Sequence, residues 1–114
     1  MQSLEQMKQN GIDVDSALKR FLNNEQMYRE FLKEMIEDPS YEKMMQAIQE
    51  KQIETAFDEA HRLKGLLGNL SLTKPYEILY DMVEALRTKT LPSKETISLF
   101  AAEYEACMEY IRQI

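Results

Sequence analysis

Histidine and cysteine each occur once in this chain of 114 residues, and glycine and proline three times each. The lone cysteine, Cys107, has no partner for an internal disulfide, and a single histidine is too few for a histidine-rich metal site. Both facts suit a reducing, cytoplasmic setting. Apolar runs are short. None approaches the roughly 20 residues needed to span a bilayer, and the N-terminus lacks a signal-peptide core, so no membrane contact is expected. Basic charge is also scarce: 14 Lys and Arg stand against 20 Asp and Glu, a formal charge of -6. A nucleic-acid partner would need a basic face and is not expected. There is no glycine-rich phosphate loop, which argues against an ATP site, and no serine-histidine-carboxylate set. Acidic neighbours such as Asp58-Glu59 read as solvated surface in so acidic a chain. Internal repeats and low-complexity tracts are missing.

So few glycines and prolines predict an all-α chain, and its length predicts a single domain over residues 1–114. Leu4 and Met7 give residues 1–10 one apolar side, and Gly11 ends that piece. Either Asp13 or Asp15 can cap the next helix, which carries Val14, Leu18, Phe21 and Leu22. Asn24 is an N-cap candidate for a helix bearing Met27, Phe31, Leu32, Met35 and Ile36. Asp38-Pro39 closes it, because the residue before proline is pushed out of the helical region. Ser40 opens a short helix with Tyr41, Met44, Met45 and Ile48, whose end around Glu50 to Gln52 is weakly marked. A helix follows over about Gln52 to Leu70. Thr73 with Pro75 in the first turn starts the next, placing Leu79, Met82, Val83 and Leu86 on one face. Ser93 caps the last, whose stripe is Ile97, Phe100, Ala101, Tyr104, Cys107, Met108 and Ile111.

Short connections make consecutive long helices antiparallel. The expected fold is an up-down antiparallel four-helix bundle of the helices beginning near Asn24, Gln52, Thr73 and Ser93. The short N-terminal helices and the Ser40 helix would cover its end. The eight methionines read as filler for irregular core gaps, and Cys107 as a buried small hydrophobe.

The histidine lies in the helix over residues 52–70. Ile53, Ala56, Ala60, Leu63, Leu67 and Leu70 recur at alternating spacings of 3 and 4, a stripe that faces a core. At about 100° per residue, His61 points about 115–120° away from the centre of that stripe and Gly65 about 155°. Lys64 sits at its edge, where its stem can lie on apolar surface while its amine reaches water. His61, Lys64 and Gly65 thus share one outward face. A mid-helix glycine costs about 1 kcal/mol relative to alanine, and this helix carries two, Gly65 and Gly68. Such a cost points to a need for the missing side chains. An exposed imidazole can act as a nucleophile toward a phosphoryl group. Lys64 can offset charge on the phosphoryl oxygens, and Asp58, three residues earlier, can support the ring.

The run His61-Arg62-Leu63-Lys64-Gly65 resembles the H-x-L-K-G hallmark of the histidine-containing phosphotransfer (HPt) domains, helical bundles that carry this histidine on the outside. Ala60, Gly68 with Asn69, the Gly11-Ile12-Asp13-Val14 approach and Val83-Glu84 also fit. Ser71 stands where many members carry glycine, and Pro75 where they carry leucine. The resemblance implies a phosphorelay carrier without its own ATP site. His61 would accept a phosphoryl group from an aspartate on a response-regulator receiver domain and pass it to another receiver. Lys64 would stabilise phosphoryl charge and Gly65 would give clearance. Phe57, Asp58, Arg62, Gly68 and Asn69 would contribute to docking through an apolar patch rimmed by charge. Leu18 and Leu22 are candidates for that patch and equally for the core. No cofactor is expected on this chain, since magnesium belongs to the receiver. A sensor histidine kinase is the other partner the resemblance admits, and a monomer is expected. The alternative is a helical adaptor whose histidine is never phosphorylated.

Overall fold

Caps and apolar periods set the helices of the computed structural model, which describes residues 3–114. Met1 and Gln2, the start of the expected N-terminal piece, lie outside the described residues. The helices are α1 (Leu4–Gln9), α2 (Val14–Arg20), α3 (Glu25–Ile36), α4 (Ser40–Gln49), α5 (Ile53–Asn69), α6 (Thr73–Arg87) and α7 (Lys94–Arg112). Ser3 opens α1 with a capping box shared with Gln6. Of the two aspartates, Asp13 caps α2, accepting from the Ser16 N–H at 3.2 Å. Asn24 accepts from the Met27 N–H at 3.0 Å and Ser93 from the Thr96 N–H at 3.1 Å. Each satisfies a donor that the first helical turn leaves unpaired.

The turns after α4, α5 and α6 share one design. A residue in the left-handed region follows each helix: Lys51 (φ 59°), Ser71 (φ 58°) and Lys89 (φ 61°). The next N–H reaches back to the helix, Gln52 to the Ala47 carbonyl at 2.8 Å, Leu72 to Leu67 at 3.0 Å and Thr90 to Ala85 at 2.9 Å. These are Schellman closures, which usually place glycine at the left-handed position. Lysine at 51 is why the end of α4 is weakly marked in the sequence. Ser71 adopts the same conformation, and neighbours hold it there. Arg20 donates to its hydroxyl at 2.7 Å, and the Asp13 N–H donates to its carbonyl at 3.1 Å.

Helix α5 packs between α4 and α6, α6 against α7, and α7 against α3. Tyr41 of α4 stacks on Tyr104 of α7 with centroids 4.1 Å apart. Helices α3 and α4 therefore share one corner of a four-helix bundle, interrupted at Asp38-Pro39. This corrects the expectation that the Ser40 helix covers an end. Its buried Met44, Ala47 and Ile48 belong to the bundle's core, and proline breaks a helix without moving the chain out of that corner. The N-terminal helices do cover an end, burying Met7, Val14 and Ala17 over the α5–α6 turn.

A second correction concerns α2 and α3. Met27 and Phe31 are exposed, and the buried row is Tyr28, Leu32 and Met35. The two rows lie side by side on the helix. Tyr28 enters the core because its hydroxyl finds the Leu70 carbonyl at 2.7 Å, which removes the cost of burying it. Leu22, expected on the apolar side of α2, lies beyond the helix at φ 53° and is 89% exposed. Met7, Met35, Met44, Met82 and Met108 are buried. Cys107 is half-buried, and burial pushes its thiol up to about 12, so it is a poor nucleophile at neutral pH.

Candidate functional site

Ala56, Ala60, Leu63 and Leu67 are fully buried along α5, and His61 and Gly65 are exposed on its opposite side. The angular reading of the sequence places both correctly. A Cβ added at Gly65 would meet no atom within 4 Å, so open space adjoins the imidazole one turn along the helix. The His61 ring lies against Phe57, centroids 5.7 Å apart and planes 27° from parallel. Phe57 is half-buried, in line with its expected intermediate angle. Asp58 is exposed, and among the described residues no hydrogen bond joins it to His61.

The flank of α5 that faces α6 forms a ladder. The Arg87 guanidinium sits 5.1 Å from the Phe57 ring centroid, and the Lys64 ammonium 4.9 Å from that of Tyr80. At Gly68 an added Cβ would lie 3.1 Å from the Tyr76 ring. Steps of seven and four residues along α5, from Phe57 to Lys64 to Gly68, are matched by the same steps back along α6, from Arg87 to Tyr80 to Tyr76. Such matched steps are the register of antiparallel helices. His61 lies between the first two rungs. Gly68, expected to serve docking, is covered by Tyr76, and its missing side chain lets α6 approach.

Tyr76, Tyr80 and Arg87 were not among the residues singled out in the sequence. Their spacing marks one face of α6, but nothing in the chain says which helix that face meets.

On the other flank, Arg62 is held at the α3–α4 break. It donates to the Ser40 hydroxyl and to the Asp38 carboxylate, both at 3.0 Å. The Ser40 N–H donates to the same carboxylate at 2.9 Å, satisfying a donor that the first turn of α4 leaves unpaired. Burial raises the Asp38 pKa, but the hydrogen bonds from Ser40 and Arg62 outweigh it and hold the carboxyl below the ordinary aspartate value. A depressed pKa means the folded state favours the ionised form. The stabilisation is whole above the unfolded value of about 3.9 and is lost as pH falls through the folded pKa. Asp38→Ala should therefore cost about 1.5–3 kcal/mol at neutral pH, the usual worth of hydrogen bonds to a charged group. In urea titrations, its deficit against the parent protein should shrink below about pH 4. A deficit that stays constant down to pH 2 would assign it to packing.

Asn69 is exposed, and its carbonyl accepts from Arg20 Nε at 3.3 Å. Arg20 Nη2 donates to the Gly68 carbonyl at 2.7 Å, so α2 satisfies the C-terminal carbonyls of α5. A groove of about 450 Å³ runs between α3 and α5. It is lined by Phe21, Phe31, Met35 and Leu66, with Arg20, Glu34, Asp38 and Arg62 around it. It adjoins the row Arg62, Leu66, Asn69, immediately beside His61 and Gly65.

The arrangement is an exposed imidazole, a lysine three residues along the same helix, clear space over a glycine and a charge-rimmed apolar groove. No curated protein and no solved structure matched the chain. A family model described as Hpt domain matches residues 26–114, from the first turn of α3 to the last residue. The chain belongs to the Hpt domains, which are phosphotransfer carriers rather than kinases in two-component phosphorelays and interact with response-regulator receiver domains.

Proposed function

We propose that His61 is the residue on which this Hpt domain carries its phosphoryl group, taken from a receiver-domain aspartate and passed to the aspartate of another receiver. The observation that carries this reading is the exposed imidazole beside the open space at Gly65. The lone pair of an unprotonated ring nitrogen forms the N–P bond as the P–O bond to the aspartyl carboxylate breaks. The electron pair of that bond leaves with the carboxylate, and the other ring nitrogen keeps its proton. The return step is the reverse, with a carboxylate oxygen of the next receiver attacking phosphorus. Lys64 faces the gain in negative charge on the phosphoryl oxygens. Transfer of this kind depends on positioning and charge stabilisation more than on covalent assistance.

Docking uses the apolar surface flanking His61. Exposed Met27 and Phe31 and half-buried Leu66 offer it on the α3 side, with Arg62 and Asn69 at the rim. On the α6 side Phe57 backs the imidazole, and its remaining edge meets the partner. Phe57→Ala should lower stability by about 1–2 kcal/mol, less than the roughly 3–5 kcal/mol of a fully buried aromatic, and should slow transfer. A loss at the full core value, measured in urea, would remove Phe57 from the docking surface.

The direct test is incubation of the pure protein with an acetyl-phosphate-charged receiver. An acid-labile mass gain of one phosphoryl group is expected. No gain with any of a panel of receivers would favour an adaptor that does not carry phosphate.

A further inference from the structure

We infer that Tyr80 is a positioning residue for phosphoryl transfer, acting through Lys64; this rests on the reading of His61 as phosphoacceptor. Lysine has four rotatable side-chain bonds and a compact, strongly hydrated charge. On an exposed helix face its ammonium would sample many positions, few of them near His61. Here Lys64 is half-buried and its ammonium stands 4.9 Å from the centroid of the Tyr80 ring. A cation over an aromatic face is held by the ring's negative quadrupole. Among the described residues no hydrogen bond or ion pair takes up the ammonium, so its N–H donors can reach a phosphoryl oxygen on the neighbouring imidazole.

The ladder explains why Tyr80 is in place. The Tyr76 ring lies over Gly68, where a Cβ would come within 3.1 Å, and this close approach fixes α6 against α5. Tyr80 follows one turn later on the same face and meets Lys64, one turn before Gly68 on α5. Tyr80 is 46% exposed, more than core packing alone would leave.

The test is a rapid-quench transfer assay with saturating charged receiver, which separates the transfer step from docking affinity. Tyr80→Leu should slow transfer about two- to five-fold, the rate equivalent of an exposed cation–π contact. Tyr80→Phe keeps the aromatic face and should restore the parent rate. In a Lys64→Gln background, Tyr80→Leu should have no further effect. Independently of activity, the Lys64 Cε protons should show an upfield ring-current shift by NMR that persists in Tyr80→Phe and vanishes in Tyr80→Leu. An unchanged rate in Tyr80→Leu, an equal loss in Tyr80→Phe, or an undiminished loss in the Lys64→Gln background would each overturn the inference. A parent protein that takes no phosphoryl group would refute the reading of His61 instead, so the two failures are distinguishable.

Discussion

His61→Gln should abolish phosphoryl acceptance while leaving the fold intact. The chain has one histidine, so on this reading no other imidazole can substitute. Glutamine's amide nitrogen has no lone pair available for attack, because it is delocalised into the carbonyl. The position is exposed, and exposed substitutions usually stay within about 0.5 kcal/mol. The ring's contact with Phe57 is lost, at a residue that is itself exposed. The measurement is an intact-mass or radiolabel assay with a charged receiver, alongside a thermal melt. Phosphoryl label retained on a folded His61→Gln would show that another side chain accepts it.

Substitutions at Gly65 should separate stability from transfer. A Cβ at this position meets no atom within 4 Å, so the free protein accommodates alanine without adjustment. Alanine is favoured over glycine in a helix interior by about 1 kcal/mol, partly by narrowing the unfolded ensemble. The melting temperature of Gly65→Ala should therefore be equal or higher. Glutamine also suits a solvent-facing helix position and should leave it near that of the parent. Transfer should run the other way: a modest loss for Ala, and a fall of orders of magnitude for Gln, whose side chain would fill the space the phosphoryl group and receiver loops require. Misplacement by about 1 Å is enough to cost 10²-fold in such a step. Parent-like rates in a well-folded Gly65→Gln would sink the clearance role.

Much of this was legible in the chain because helical periodicity is local. The stripe from Ala56 to Leu70 gave the length of α5, its buried side and the outward direction of His61 and Gly65, all from the angle between successive residues. Asn24 and Ser93 marked helix starts, and Asp13 or Asp15 a third, because a cap bonds to an N–H within three residues. The reading lost its grip where a local pattern left the edge of an apolar face open. Met27 and Phe31 read as one face with Leu32, Met35 and Ile36, yet they are exposed, and Tyr28 is buried beside Leu32 and Met35 instead. What admits Tyr28 is the carbonyl of Leu70, 42 residues away, which accepts its hydroxyl. The end of α4 was blurred because Lys51 takes the left-handed position that glycine would have announced.

By itself, then, the sequence determined an all-helical chain with one outward histidine followed by a lysine and a glycine on the same face, because those properties depend on residues within a turn or two of one another. Tertiary structure alone decided what that face meets. Tyr80 on Lys64, Arg87 on Phe57 and Tyr76 on Gly68 are set by the antiparallel register of α5 and α6. The Arg62–Asp38–Ser40 latch depends on how α3 and α4 share one corner of the bundle. Neither register nor corner is encoded in any short stretch. Each emerges only when whole apolar stripes close on a common core, and the polar and aromatic groups at their edges are carried into contact as a result.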